Sequence, residues 1–312
     1  MSPPPGRGAG DHDQGEPGDV ADTVPWRAFL AEATERLAAA GVASPAAEAR
    51  WLVEEASGHE GSDLAAGLDE PATQRGVARF DRMLARREAG EPLQHVLGHW
   101  AFRHLDLLVD GRVLIPRPET EVVVEVALAE LDALGPPDGR PRRAVDLGTG
   151  SGAIGLSLAA ERTGLEVWIT DVSTAALDVA RANLAGIGRA GARVRVAEGS
   201  WYDALPPELA GEVDLIVSNP PYVAPHDELP AEVRDHEPAL ALVPGPTGLE
   251  ALHVVVDGAG AWLAPGGVVV VELAPGQAVG VAERAVAAGL VDVRVEPDLV
   301  GRDRMVVARR PG

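Results

Sequence analysis

The hydrophobic positions of residues 26–90 follow a helical period. Apolar side chains recur at spacings of three and four, which predicts an amphipathic helix. The first set is Trp26, Phe29, Leu30, Ala33 and Leu37. Ser44 followed by Pro45 is typical of a helix start and predicts a second helix through Ala56. A third helix is expected from about residue 72 to residue 87, so residues 26–90 are predicted to form a small helical domain.

Alternation with period two replaces the helical period after Gly90-Glu91-Pro92. The alternating segments are Leu93 to Leu97, Ala101 to Val109 and Val113 to Ile115. Because period two is typical of strands, we expect a β-hairpin linker over residues 91–117.

From Pro118 onwards, short apolar strands alternate with helical segments. Pro118 suits the first position of a helix, and Glu119 and Glu121 suit its positive first turn. The predicted strands are Ala144–Val145, Val167–Ile169, Val194–Ala197, Leu215–Val217 and Val268–Leu273. Repeated strand–helix units favour a doubly wound α/β domain over residues 118–312, with a mostly parallel sheet. The stretches 291–295 and 305–308 predict an antiparallel hairpin at its end.

Composition narrows the chemistry. Residues 1–25 are rich in Gly, Pro and Asp, so we expect a disordered tail.

Acidic residues number 48 and basic residues 27, and the net charge of −21 disfavours direct binding of nucleic-acid phosphate. The absence of Cys and Lys excludes thiolate and Schiff-base catalysis. With no apolar run long enough for a bilayer and no signal-peptide core, we expect a cytoplasmic protein without membrane contact.

A glycine loop, Asp146-Leu147-Gly148-Thr149-Gly150-Ser151-Gly152, lies between a predicted strand and a predicted helix. Glycines at that position let the backbone approach a ligand closely. Asp171 ends the next predicted strand, where its carboxylate suits ribose hydroxyls. The pattern predicts a nucleoside-containing cofactor, and the alternative is a glycine-rich turn that binds nothing.

Part of this loop also matches the dinucleotide fingerprint G-x-G-x-x-G, from Gly150 to Gly155. Asp146 at the strand end would repel a pyrophosphate, whereas it suits a positively charged amino or sulfonium group. We therefore favour S-adenosylmethionine over NAD.

The Asn-Pro-Pro-Tyr motif (residues 219–222) follows Ser218 and an apolar strand, at the same sheet edge as the glycine loop. The Asn219 side-chain oxygen and the Pro220 carbonyl are able to accept both hydrogens of a planar NH₂ group. Pro220 and Pro221 stiffen the loop, and Tyr222 offers a ring for stacking. The motif predicts methyl transfer to a positioned NH₂ group, and an ordinary proline turn is the alternative.

These two motifs resemble those of the amino-methylating, S-adenosylmethionine-dependent methyltransferases. Further segments resemble the signature of the release-factor glutamine N5-methyltransferases of the PrmC/HemK type. They are Pro92-Leu93-Gln94, Gly98, Phe102, Leu114-Ile115-Pro116-Arg117-Pro118-Glu119-Thr120-Glu121, Gly248-Leu249 and Gly301-Arg302-Asp303-Arg304. The resemblance implies a Rossmann-like class I methyltransferase fold with a seven-stranded sheet, and a small N-terminal domain that recognises the substrate.

The resemblance also implies a reaction and its residues. The side-chain amide of the glutamine in the Gly-Gly-Gln motif of class-1 peptide chain release factors would be methylated on nitrogen. The implied cofactor residues are Asp146, Gly148, Thr149, Gly150, Ser151, Gly152, Asp171, Trp201 and Asn219. Asp171 would hold the ribose and Trp201 would pack by the adenine. The implied catalytic residues are Asn219, Pro220, Pro221 and Tyr222.

Some positions depart from the family pattern or stay open. Ser200 stands where an acid often accepts from the adenine amino group, and nearby Glu198 is expected to face away. His95 replaces a more usual Tyr, and we interpret it as a packing residue. For Arg117 and Glu119, contact with the partner and a local ion pair are both open.

Two other functions remain as alternatives. One is a DNA or RNA amino-methyltransferase of the N6-adenine or N2-guanine type, which the acidic charge disfavours because base flipping requires phosphate contacts. The other is a non-catalytic scaffold that binds S-adenosylmethionine and a translation factor, against which Asn219 and the glycine loop argue. The eight His residues lack metal-binding spacing, so no metal is expected. We expect a monomer.

Overall fold

The structure is a computed structural model that describes residues 24–135 and 139–312. The tail predicted for residues 1–25 therefore lies outside the described residues except for Val24 and Pro25. The chain divides into two compact units, one ending at Glu88 and the other beginning at Ala89. No helix of the described residues is both long enough and apolar enough to cross a membrane.

The first unit is helical. Its helices are α1 (Trp26–Ala39), α2 (Pro45–Ser57), α3 (Ser62–Gly67) and α4 (Gln74–Glu88). Buried apolar side chains of α1, α2 and α4 form its core, among them Leu37, Leu52 and Phe80. The three predicted helices are confirmed. The six-residue α3 escaped prediction because it is too short to show a period.

The second unit begins with a linker that the sequence predicted only in part. A β-hairpin is present, but its antiparallel strands β1 (His99–Phe102) and β2 (Leu105–Leu108) turn at residues 103–104, inside the segment Ala101 to Val109 that was predicted as one strand. The strand predicted over Leu93–Leu97 is wrong, because these residues form helix α5. Pro92 precedes this helix, and Gly98 ends it with a φ of +84°. Residues 113–115 are not a strand either, although burial still alternates there.

A seven-stranded sheet organises the rest of this unit. Its strands are β3 (Arg142–Leu147), β4 (Leu165–Asp171), β5 (Val194–Glu198), β6 (Val213–Ser218), β7 (Leu263–Glu272), β8 (Val291–Pro297) and β9 (Asp303–Arg309). The strand order is β5-β4-β3-β6-β7-β9-β8, and the first five strands are parallel. β9 is antiparallel to both β7 and β8. The doubly wound α/β fold and its C-terminal hairpin are confirmed.

Helices cover both faces of the sheet. They are α6 (Pro118–Ala133), α7 (Ala153–Glu161), α8 (Thr174–Gly186), α10 (Glu250–Trp262) and α11 (Ala278–Ala287), whereas the short helix α9 (Ala231–His236) follows the Asn-Pro-Pro-Tyr motif and buries no residue. Along β6, Leu215 and Val217 belong to the core shared with α6, α7 and α8. Ile216 between them belongs to the core shared with α10 and α11. This alternation explains why the central strands are apolar on both faces.

Parallel pairing brings the carboxyl ends of five strands to one edge. Asp146 of β3 lies opposite Val217 of β6, and Ser218 lies opposite Val271 of β7. The glycine loop follows β3 and the Asn-Pro-Pro-Tyr motif follows β6. The two motifs are therefore neighbours at this edge, as the sequence predicted.

One helix–ring contact in this unit generates a stability prediction. A Cβ added at Gly258 of α10 would lie 2.3 Å from Cε2 of Tyr202. That ring cannot move freely, since its hydroxyl donates to the Val255 carbonyl at 2.6 Å and it stacks on Trp262. We expect Gly258→Ala to lower the free energy of unfolding by about 1–3 kcal/mol.

Gly260 of the same helix is the matched control, because a Cβ there meets nothing within 4 Å. Gly260→Ala should raise the free energy of unfolding by about 1 kcal/mol through helix propensity. Chemical denaturation measures both changes. Equal effects of the two substitutions would contradict the proposed contact.

Candidate active site

A cavity of about 500 Å³ opens at the carboxyl edge of the sheet. Its wall brings together most of the predicted cofactor residues, namely Gly148, Thr149, Gly150, Ser151, Asp171, Trp201 and Asn219. Thr120 and Pro221 also line it. A second cavity of about 250 Å³ is lined by Asn219, Pro220, Tyr222 and Arg117. Asn219 belongs to the walls of both cavities, where a cofactor and an acceptor would meet.

The glycine loop has a backbone that requires glycine at three positions. Gly148, Gly150 and Gly152 have φ values of +72°, +56° and +88°. This left-handed region costs other residues about 1–2 kcal/mol each. The alternating glycines thus form a tight turn, in which Gly148 and Gly150 line the cavity.

Asp146 holds this loop from behind. The carboxyl group is fully buried, and its Oδ2 accepts hydrogen bonds from Thr149 Oγ1 at 2.5 Å and from the Gly155 amide at 2.9 Å. Burial raises the pKa of Asp146 to about 6. Neither Asp146 nor Gly152 lines the cavity, so the structure does not bring these two predicted cofactor residues to its wall. Their role in this structure is to shape the loop.

Asp171 ends β4 beside the same loop. Its two carboxylate oxygens accept hydrogen bonds from the amides of Gly150 and Ser173, each at 2.9 Å. Burial raises the pKa of Asp171. An ionised carboxylate has about four acceptor positions, so these amides do not use all of them. Asp171 therefore fixes the loop and still presents acceptors to the cavity.

Trp201 lies against the glycine loop. Its ring is 3.5 Å from the position that a Cβ of Gly148 would occupy, and it is half-buried in the cavity wall. Ser200 lines the cavity, whereas Glu198 does not. Glu198 accepts a hydrogen bond from Thr174 Oγ1 at 3.0 Å instead, which confirms that it faces away. The wall offers a flat apolar surface beside Trp201.

The Asn-Pro-Pro-Tyr motif is fixed on several sides. Ser218 Oγ donates to the Leu147 carbonyl of β3 at 2.7 Å. Gln277 Nε2 donates to the carbonyls of Tyr222 at 2.9 Å and Gly248 at 3.2 Å. Gly248 has a φ of +78°, and a Cβ there would lie 2.8 Å from the Tyr222 carbonyl oxygen. The loop is therefore held in a single position relative to β3 and α10.

Tyr222 directs its hydroxyl away from solvent. The hydroxyl lies 3.4 Å from Oε1 of Glu272, which ends β7. Burial, together with the neighbouring Glu272 carboxylate, raises the pKa of Tyr222 above its ordinary range. Tyr222 is thus a neutral hydroxyl at physiological pH and contributes its ring to the second cavity.

Arg117 and Glu119 form local ion pairs. Arg117 donates to the buried carboxylate of Glu237, and Arg302 donates to Glu119 at 3.0 Å. Contact of either residue with a partner stays a prediction. His95 is only 3% exposed, in agreement with its interpretation as a packing residue.

Sequence reasoning missed several residues that build the site. Asn183 of α8 is one: its Nδ2 donates to the carbonyls of Ser151 at 2.8 Å and Leu108 at 3.1 Å, which joins the glycine loop to the hairpin. Gln277 and Glu272 are others. None of the three belongs to a local pattern, so no signal in the sequence pointed to them. The described residues hold no group of three or more His, Asp or Glu side chains that suits a metal ion.

The sheet, the glycine loop and the Asn-Pro-Pro-Tyr motif together define a class I methyltransferase. A solved structure of the same fold is the catalytic domain of hMettl16 in complex with MAT2A 3'UTR hairpin 6, with a TM-score of 0.50 and 16% identity over 76% of this chain and 81% of that chain. Two family models match, the PrmC N-terminal domain over residues 28–98 and the methyltransferase small domain over residues 127–234.

Curated relatives narrow the class further. The release factor glutamine methyltransferase of Cereibacter sphaeroides is 42% identical over 90% of this chain and 97% of its own length. The release factor glutamine methyltransferase of Moorella thermoacetica is 42% identical over 91% of this chain and 98% of its own length. The chain belongs to the family of release factor glutamine methyltransferases.

The close approach of Gly248 to Tyr222 generates a prediction for activity. Gly248→Ala should lower the rate of methyl transfer about 10- to 100-fold, because the added Cβ displaces the loop that follows Asn219. Gly266→Ala is the control: its φ is +76°, with nothing within 4 Å of the added Cβ. We expect this control to lose stability without losing activity. Equal transfer rates for the two variants would contradict the role assigned to Gly248.

Proposed function

We propose that this enzyme methylates the side-chain amide nitrogen of the glutamine in the Gly-Gly-Gln motif of class-1 peptide chain release factors, with S-adenosylmethionine as the methyl donor. The observation that carries the proposal is the position of Asn219 in the walls of both cavities. Membership of the family supports the choice of acceptor.

The chemistry of the larger cavity fits S-adenosylmethionine. Its volume of about 500 Å³ is within the range of cofactor sites. Asp171 would accept from the ribose hydroxyls, Trp201 would pack on the adenine, and the turn from Gly148 to Ser151 would surround the methionine part. Asp146 would contribute to cofactor binding indirectly, because its hydrogen bonds hold the glycine loop in place. Its negative charge also favours a cationic ligand over a pyrophosphate.

The acceptor presents a chemical difficulty that the motif addresses. An amide nitrogen is a poor nucleophile, because its lone pair is delocalised into the carbonyl group. S-adenosylmethionine, when bound, supplies a methyl group on a positively charged sulfur. Asn219 Oδ1 and the Pro220 carbonyl would each accept one hydrogen of the glutamine NH₂ group. These bonds orient the nitrogen and stabilise the positive charge that develops on it, and water takes the released proton.

Localisation, oligomeric state and further ligands complete the proposal. We propose that the protein works in the cytoplasm as a monomer, without direct contact to nucleic acid and without a metal. The net charge of −21 supports a protein substrate over a polynucleotide.

Transfer of label from S-adenosylmethionine tests the proposal. The protein is incubated with labelled cofactor and a purified release factor, the same factor with its Gly-Gly-Gln glutamine replaced, or nucleic acid. We expect label only on the unaltered release factor. Label on nucleic acid alone, or on the glutamine-substituted factor, would overturn the proposal.

A change at Asn219 separates transfer from cofactor binding. Asn219→Ala should lower the transfer rate about 100- to 1000-fold, because the glutamine amide loses an orienting acceptor. The Kd for S-adenosylmethionine, measured by calorimetry, should change less than about threefold. A variant that loses cofactor affinity but keeps its rate at saturating cofactor would contradict this assignment.

A change at Asp171 should have the opposite effect. Asp171→Asn is expected to raise the Kd for S-adenosylmethionine about tenfold or more, since it removes a charged acceptor, and to leave the rate at saturating cofactor nearly unchanged. Because the pKa of Asp171 is raised, affinity should weaken on acidification at a higher pH than for an ordinary Asp. Asp178→Asn, on the exposed side of α8, is the control and should bind normally.

A further inference from the structure

Three polar side chains form a chain of hydrogen bonds behind the Asn-Pro-Pro-Tyr motif. Asn219 Nδ2 donates to Thr120 Oγ1 at 3.2 Å, and Thr120 Oγ1 donates to Glu272 Oε2 at 2.8 Å. Thr120 and Glu272 are 3% and 1% exposed. They come from the start of α6 and the end of β7, so two elements distant in sequence meet at Asn219.

The direction of these bonds is fixed by their last member. An ionised carboxylate only accepts hydrogen bonds, so Thr120 must donate its single hydroxyl proton to Glu272. The Thr120 oxygen then has only lone pairs to offer to Asn219. The Asn219 amide must therefore turn its nitrogen toward Thr120, because its oxygen would face another acceptor there.

We propose that Thr120 and Glu272 are positioning residues, which hold the Asn219 amide with Oδ1 toward the acceptor. The inference rests on the proposed function, in which Oδ1 accepts a hydrogen from the substrate NH₂ group. A reversed Asn219 amide would present its own NH₂ group to the NH₂ group of the substrate glutamine. The two donors would then repel, and the nitrogen to be methylated would lose its orientation.

The protonation state of Glu272 determines the direction of the hydrogen bonds between Glu272, Thr120 and Asn219. Burial raises the pKa of Glu272 to about 7, with Glu119 of α6 acting in the same direction. Arg304 of β9 and the Tyr222 hydroxyl act against this rise, and Arg304 itself lies 3.5 Å from Asp298. A protonated Glu272 is able to donate to Thr120, which frees the Thr120 proton for Asn219 Oδ1. The hydrogen bonds therefore enforce the correct orientation of the Asn219 amide when Glu272 is ionised, above about pH 7, and permit both orientations when it is protonated.

Variants that separate shape from hydrogen bonding test the inference. Thr120→Val keeps the shape and removes the hydroxyl, Thr120→Ser keeps the hydroxyl, and Glu272→Gln keeps the shape and removes the charge. The measurement is the single-turnover rate of methyl transfer to release factor at saturating cofactor and acceptor. The Kd for S-adenosylmethionine and the Tm accompany each rate. Ser157→Ala on α7, which deletes a buried hydroxyl remote from Asn219, is the control.

We expect Thr120→Val and Glu272→Gln to transfer about 10- to 100-fold more slowly at pH 8. Thr120→Ser and Ser157→Ala should stay within about threefold of the unaltered protein. All variants should bind S-adenosylmethionine with a Kd within about threefold. The rate of the unaltered protein should rise with pH through about 7, and Glu272→Gln should lack this rise.

Several results would overturn the inference. One is a normal rate of methyl transfer for Thr120→Val together with a loss of transfer for Asn219→Ala. This result would refute the positioning role of Thr120 and would leave the proposed function intact. Another is an equal loss in Thr120→Val and Thr120→Ser. If Thr120→Val fails to fold, the pH profile of Glu272→Gln decides: a flat profile supports the inference and an unchanged rise overturns it. Full activity of Asn219→Ala would instead refute the role of Asn219 in the proposed function.

Discussion

The parallel pairing of β3 with β6 is the constraint on which the site depends. These strands are separated by about 70 residues of chain, yet Val145 lies opposite Ile216 and the Ser218 hydroxyl bonds to the Leu147 carbonyl. A shift of one residue would turn the apolar side chains of β6 to the wrong layers. The buried cores on both faces therefore fix this register. With it they fix the distance between the glycine loop and Asn219.

Buried acids at strand ends organise the loops above this sheet. Asp146, Asp171 and Glu272 end or nearly end β3, β4 and β7, and burial raises the pKa of each. Each of them accepts hydrogen bonds from a loop or from the first turns of a helix at this edge, namely from the amides of Gly150 and Gly155 or from the hydroxyl of Thr120. An unpaired buried carboxylate costs several kcal/mol, so these loops are held in the conformations that supply the donors.

The sequence pattern correctly predicted those features of the fold and the site that depend on a residue and its near neighbours in the chain. The strands were found because burial on both faces requires apolar runs, and Gly148 and Asn219 because their torsions or chemistry allow few other residues. Period two failed at Leu93–Leu97, since the short helix α5 buries three residues, and two of them, Leu93 and His95, have the spacing that a strand would show. The inward direction of Asp146 and the contact of Thr120 with Glu272, 152 positions away, depend on tertiary packing and have no sequence signal.

The insertion of β9 beside β7 has a consequence for the order in which the molecule is completed. Met305 of β9 pairs with Glu272, so β9 completes the strand pairing of β7 at the residue that carries this carboxylate. A nascent chain emerges from the ribosome N-terminus first, and β9 is therefore the last of the seven strands to emerge. The surroundings of Glu272 are therefore completed only after the glycine loop and the Asn-Pro-Pro-Tyr motif have been synthesised.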